Sequence, residues 1–187
     1  MSDAYYYDAL HHVLRNRLNL QRASEFDGFE RRFVTQRIAE GVPAGNFDLA
    51  HLQAIHRQIF QDLYEWAGVL RVDDVEDGEA HYQAAAKIAG DVAAIHRDLG
   101  AKKFLADLEP GDFAREAALL MGDLAFVRPF FEGNNRALLL YLKQLALKAG
   151  HPLDLTKLPA EPWIEASASA LGGDIEPMAG LLTFALS

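Results

Sequence analysis

The chain has 187 residues, half of them hydrophobic and 24% charged, with a formal net charge of −9 and no cysteine. That size can bury a core without covalent staples; the missing cysteines exclude disulfides, thiolate metal sites and cysteine nucleophiles and fit a reducing cytoplasm; the negative balance disfavours a nucleic-acid partner. Apolar runs such as AALLMGDLAFV are too short or too charged to span a bilayer, and MSDAYYYDAL lacks the basic region and apolar core of a signal peptide, so no membrane partner is expected.

Alanine and leucine at helical spacing dominate, without repeats or convincing alternating runs. A first helix is predicted over Asp8 to Leu20 and a second over about Glu25 to Glu40, before GVPAG breaks the chain. Asp48 is the expected N-cap of the next helix. There Leu49, Leu52, Ile55, Ile59, Leu63 and Trp66 recur every three or four residues, and Gly68 closes the helix. VLRVDDVEDGEAHY follows; its Asp77-Gly78 is a weak hairpin signal between short flanks. Further helices are predicted from about Gln83 to Leu99, from Pro110 and Asp112 to Phe126, and from about Asn135 to Lys148. Gly150-His151-Pro152 is a stop signal. Two shorter helices, near Glu161 to Leu171 and Ile175 to Leu186, close a single all-α domain spanning residues 1–187.

RPFFEGNNRALLLY (Arg128 to Tyr141) stands between two of these helices. Pro129 ends the upstream helix. Gly133 permits backbone closed to other residues, and Asn134 and Asn135 tolerate left-handed geometry and can cap. Arg136 falls in the first turn of the next helix, beside free N–H groups and the positive end of a dipole. That combination suits an anion such as phosphate, and Glu132 beside it suits a magnesium ion neutralising polyphosphate. The same residues also describe an ordinary capped helix-loop-helix corner.

The stretch resembles the signature loop of the Fic family, HxFx(D/E)GNxRxxR. Family members transfer AMP, and occasionally other phosphate-containing groups, from a nucleotide to a protein hydroxyl. FDLAHLQAIHRQIFQDLYEWAGVLR is similar to the family's helix before its flap, and Tyr82 with Ile88 to the flap and its hydrophobic anchor. LKQLALKAGHPLDL and PWIEASASALGGDIEPM resemble the later regions, so the likeness covers roughly residues 10 to 180. It implies a Fic/Fido-type helical bundle with a short β-hairpin flap, the core at about 45–150, the flap at about 70–82 and the motif at 128–139. By the same resemblance Phe130 fixes the loop and Glu132 holds magnesium. Gly133, Asn134 and Arg136 bind the phosphates of a nucleotide. The flap (Val72, Asp73, Val75, Tyr82) holds a target protein by strand addition.

Three positions depart from the motif. Arg128 replaces the histidine that acts as general base, and arginine stays protonated. Asn135 replaces a glycine in the phosphate cradle. Leu139 replaces the second arginine, which contacts the terminal phosphate and is masked by an inhibitory glutamate. The family's brake, (S/T)xxxE(G/N), is also missing: Thr35 to Glu40-Gly41 is one residue too long. An antitoxin or regulatory chain is the remaining route to such a brake, and Leu139 argues against it.

The expectation is therefore a degenerate Fic-type nucleotidyltransferase fold, impaired in ATP-dependent AMPylation, that acts by binding a nucleotide, a protein or both. The alternative is an active transferase, a toxin among the options, that modifies a protein hydroxyl by non-standard chemistry. Other candidates are weaker. His51 and His56 lie five apart on a helix and do not share the face a zinc site needs. His11-His12 reads as solvent-facing. His81 is the one histidine placed near the site, a conceivable substitute base. Ser167 and Ser169 lack a histidine and an acid in recognisable spacing. The acidic flap reads as a solvated turn that would favour a basic partner.

Overall fold

The structure, a computed structural model, describes residues 5–8, 13–77 and 80–186. His11, His12 and the Gly78 of the hairpin turn lie outside these residues. The described elements are β1 (Tyr6–Asp8), β2 (Val13–Leu14), α1 (Ala23–Glu40), α2 (Leu49–Phe60), β3 (Glu76–Asp77), β4 (Ala80–His81), α3 (Ile88–Ala101), α4 (Pro110–Val127), α5 (Asn134–Ala149), α6 (Ala160–Leu171) and α7 (Glu176–Ala185). The chain is mostly helical, with β3 and β4 forming an antiparallel hairpin in the register Glu76 to His81 and Asp77 to Ala80.

Local chemistry sets the helix ends. The Asp48 carboxylate accepts the His51 N–H at 2.9 Å, capping α2. Pro110 opens α4, where its missing N–H is no loss. Gly150 closes α5 with φ 87°, and the His151 N–H donates to the Ala146 carbonyl at 2.8 Å, which satisfies a last-turn oxygen. α4 runs through the core and packs against α3, α5, α6 and α7, while α5 packs on α2. Its inward face is built from Ala114, Ala117, Ala118 and Gly122, and such small side chains let neighbouring helices approach closely. The α4–α5 connection is thereby set over α2, with α6 opposite.

Three boundaries differ from the sequence reading. No helix spans residues 8–20 among those described: β1 pairs antiparallel with β2. Asn16 then draws the chain into a turn, its amide donating to the Leu14 and Leu20 carbonyls at 2.9 and 2.7 Å and accepting the Leu20 N–H at 3.0 Å. Such side-chain bonds compete with a helix for the backbone. α2 stops at Phe60 instead of reaching Gly68. Successive turns continue the spacing, so Leu63 and Tyr64 are still buried. Gly68 is bent back onto α2, its N–H donating to His56 Nδ1 and its carbonyl accepting from Gln53, both at 2.9 Å. α3 proper begins at Ile88, led in by a 3-10 turn over Ala85–Lys87, because the Gln83 backbone N–H goes to the Phe126 carbonyl at 3.0 Å and its side-chain oxygen takes the Ala84 N–H at 2.9 Å.

Candidate functional site

The loop Arg128–Gly133 joins α4 to α5. Arg128 ends α4 in the left-handed region (φ 42°, ψ 67°), with its N–H donating to the Leu124 carbonyl at 3.1 Å. Glycine, asparagine and histidine take this conformation more readily than arginine, so the surroundings must hold it. Arg71 does so. Its backbone N–H donates to the Pro129 carbonyl at 3.0 Å, and its Nε donates to the Arg128 carbonyl at 2.7 Å. The remaining nitrogens reach the carbonyls of Asp73 (2.8 Å), Val127 (3.2 Å) and Gln83. This guanidinium is 2% exposed. Two of its acceptors belong to the last residue and cap of α4, where a helix favours a cation. The other two lie at the two ends of the flap. One side chain therefore ties the flap to the head of the loop.

The body of the loop is bonded to itself and to α2. Asn134 accepts the Phe130 N–H at 2.9 Å and donates to the Phe130 carbonyl at 2.8 Å. Phe130 is fully buried, with the His56 ring stacked on it at 3.9 Å. Because His56 Nδ1 accepts from Gly68, Nε2 carries the hydrogen and donates to the Glu132 carbonyl at 2.9 Å. Gly133 has φ 79°, and a Cβ there would lie 2.4 and 2.5 Å from ring carbons of Phe60. No residue but glycine fits. Phe131 stacks on Tyr5 at 3.9 Å, so the N-terminal segment covers its ring.

Burial pushes the His56 pKa down from its ordinary 6.5 to about 4; the Glu132 carbonyl opposes this and Arg136 adds to it. As pH falls, the unfolded chain takes up this proton first. The stabilisation from a neutral His56 is therefore complete above pH 6.5, shrinks from there toward pH 4 and falls no further below. The loss from this group amounts to about 3 kcal/mol at most. Urea unfolding of the wild type and His56→Gln at several pH values checks it: the variant should show a flatter profile across that window.

Beside the loop lies a cleft of about 640 Å3. Its polar wall is the loop and the start of α5: Arg128, Glu132, Gly133, Asn134, Asn135 and Arg136. Leu139, Trp163, Ile164, Ala168 and Leu171 form an apolar wall. α5 has no side-chain cap, so its first N–H groups and the positive end of its dipole belong to the polar wall. Tyr82 lies at the mouth, with the Arg128 guanidinium 4.5 Å above its ring. Among the described residues, no histidine lines the cleft.

The model of the Fic/DOC family matches residues 46–146, a span that contains α2, the flap, α4 and the loop. The chain belongs to the Fic/DOC family. A relative from Sinorhizobium fredii named "probable protein adenylyltransferase" is 36% identical over 90% of this chain and 88% of its own. An Escherichia coli relative of similar name, "probable protein adenylyltransferase Fic", is 31% identical over 92% of this chain and 86% of its own. Among solved structures, the Bartonella tribocorum BepC protein with bound AMPPNP covers 100% of this chain and 98% of its own, with a TM-score of 0.92 and 24% identity. The Fic domain of a putative cell filamentation protein of Bartonella quintana, with bound ADP, covers 98% and 94%, with a TM-score of 0.88 and 23% identity. These two likenesses establish a Fic-type fold.

Within that fold, the motif positions divide. Arg128, Glu132, Gly133, Asn134, Asn135, Arg136 and Leu139 share the cleft. Phe130 lies beneath it. Asn134, assigned by resemblance to phosphate, bonds Phe130 through both Oδ1 and Nδ2, and Nδ2 keeps a second hydrogen to donate. Arg136 is also partly engaged, ion-paired with Glu30 of α1 and 5.0 Å above the Phe60 ring. Val72 is 77% exposed at the flap base and Val75 is half-buried. The Asp73 carbonyl is held by Arg71. His81 lies on β4 and is not among the cleft's lining residues. Ser167 lines the cleft, but its hydroxyl donates to the Trp163 carbonyl at 2.8 Å. His51 takes the Phe47 N–H at 3.1 Å and bonds Pro43 and Gln144, a packing role. Sequence reasoning missed the functions of Glu30 and Arg71, because neither partner set is local in sequence.

Among the described residues no three carboxylate or histidine side chains group into a metal cage. Glu132 is the one carboxylate among the described lining residues, and one of its oxygens accepts the Gly133 N–H at 2.8 Å. One carboxylate fits an ion that takes most of its ligands from phosphate and water.

Proposed function

We propose that this Fic-domain chain binds a nucleotide in the 640 Å3 cleft and does not perform ordinary ATP-dependent AMP transfer. The observation that carries the reading is the pair Arg128 and Leu139, both lining that cleft, with no histidine beside them among the described residues. A target hydroxyl needs a group to take its proton, and a guanidinium remains protonated. General-base catalysis is worth about 10² to 10⁴ in rate. Leu139 offers nothing to a terminal phosphate. Two structures of the same fold hold nucleotides, which supports that ligand class.

The N–H groups at the start of α5 and Arg136 take the phosphates. Glu132 would hold magnesium, which when bound neutralises phosphate charge. The flap, with Val72 exposed and Asp73 and Val75 half-buried, accepts an extended segment of a target protein by backbone pairing. With nothing at 139 for an inhibitory glutamate to grip, a masking antitoxin has no purchase. The absence of cysteine supports a cytoplasmic setting.

Calorimetry with ATP, ADP and AMP, with and without magnesium, is expected to give binding that weakens little from ATP to ADP. Labelled ATP in a cell lysate is expected to leave proteins unlabelled. Robust labelling that depends on Glu132 would sink the reading. A second reading, an active transferase with non-standard chemistry, is favoured by the apolar Leu139, which suits a donor lacking a γ-phosphate. It fails if a screen of nucleoside diphosphates, triphosphates and conjugates shows no turnover dependent on Arg128.

A further inference from the structure

On the other side of the loop lies a separate chamber of about 370 Å3, bounded by the N-terminal hairpin and α1. Its polar lining is unbalanced. Among the described lining residues, Asp27, Glu30 and Glu132 stand against one guanidinium, that of Arg136, an excess of two negative charges. Tyr64 gives an independent sign of a ligand. It lines the chamber while only 2% exposed, and its hydroxyl makes no hydrogen bond among the described residues. Burial, and then the negative charges of Glu30, Glu132 and Asp27, push its pKa up against the pull of Arg136, so the phenol faces these groups and stays neutral. The ring is buried while the hydroxyl opens into the chamber, where it can accept a hydrogen bond from a ligand.

The charge excludes phosphate. A bare metal ion is disfavoured as well, because no three carboxylates converge among the described residues. Part of the wall is hydrocarbon: Phe26, Val13 and Leu14. The volume falls within the usual range for small-molecule sites, about 300–1,000 Å3. We propose that the chamber is a second ligand site, for a small aliphatic amine. Its ammonium group is taken by Asp27, Glu30 and the Tyr64 hydroxyl, and its methylenes lie on Phe26, Val13 and Leu14. An ammonium on Glu30 competes with Arg136, which also lines the nucleotide cleft, so occupancy of the chamber alters the charge offered there.

The test is calorimetric titration of the full chain with diaminopentane, without nucleotide, so its outcome is separate from the reading above. Saturable binding with a Kd at or below about 1 mM is expected. Asp27→Asn and Glu30→Gln should each weaken it about ten-fold, the worth of a charge-assisted hydrogen bond. Tyr64→Phe should weaken it several-fold, and pentanediol, the neutral counterpart, should not bind. Asp107→Asn makes the same charge change at an exposed carboxylate that pairs with Lys103, and should leave the affinity unchanged. The proposal is overturned if no saturable binding occurs up to about 10 mM. It is equally overturned if Glu30→Gln binds as the wild type does, or if Asp107→Asn weakens binding as much as Asp27→Asn.

Discussion

Replacing Arg71 by methionine is expected to lower the free energy of unfolding by about 3–5 kcal/mol, the range for breaking a buried charged network. The guanidinium is 2% exposed and serves the carbonyls of Asp73, Gln83, Val127 and Arg128. Methionine fills most of the volume and donates nothing. Each carbonyl left dry and unpaired costs about 1–3 kcal/mol. Water entry at the exposed flap base and the removal of a buried charge both offset part of this, so the total stays below the simple sum. Lysine should recover only a fraction, because three donors on one nitrogen cannot span a fork. Urea unfolding midpoints of the three proteins decide the matter. A loss below about 1 kcal/mol for methionine would mean that the bonds are worth no more than an ordinary surface contact.

The second large effect is at Gly133. Alanine there places a methyl group 2.4–2.5 Å from the Phe60 ring, at a φ of 79°. Left-handed backbone costs a non-glycine residue about 1–2 kcal/mol, and overpacking a rigid aromatic adds about 1–3 kcal/mol. A fall of about 2–5 kcal/mol in stability follows. The collision also pushes the first turn of α5 away from the loop, so nucleotide binding should drop with it. Gly90, inside α3, is the control: a Cβ there meets nothing within 4 Å. Gly90→Ala should be neutral or stabilising by about 0.5–1 kcal/mol. If both substitutions behave alike, the close approach of Phe60 does not constrain position 133.

Much of the helical framework was readable because its signals are local. Asp48 caps, Pro110 starts and Gly150 stops by chemistry confined to a few neighbouring residues. The failures share a cause. Residues 61–68 keep the three-to-four spacing of a helix while forming turns, so periodicity alone cannot detect the end of α2 at Phe60. At 8–20 the apolar spacing is overridden by Asn16 and by the stacking of Tyr5 on Phe131, a partner 126 positions away in sequence. The site divides in the same manner. Glycine, asparagine and arginine at the head of a helix announce an anion loop, and the departures at 128, 135 and 139 are visible by resemblance. The pairing of Arg136 with Glu30 is not, since nothing near either residue marks the other. Asn134 shows a further limit: residue type suggested a ligand contact, and nothing in the sequence marked its two bonds to Phe130.

The left-handed pose of Arg128 has one more consequence. Its backbone is held through its own N–H and carbonyl, by Leu124 and Arg71, while its guanidinium lies over the Tyr82 ring. Phe130, Gly133 and Asn134 are held through their side chains or the lack of one. Mutational tolerance is therefore uneven from 128 to 134. A substitution at 128 gives up the contact with Tyr82 but leaves the two backbone bonds in place, whereas a substitution at 130, 133 or 134 disturbs the packing that shapes the loop.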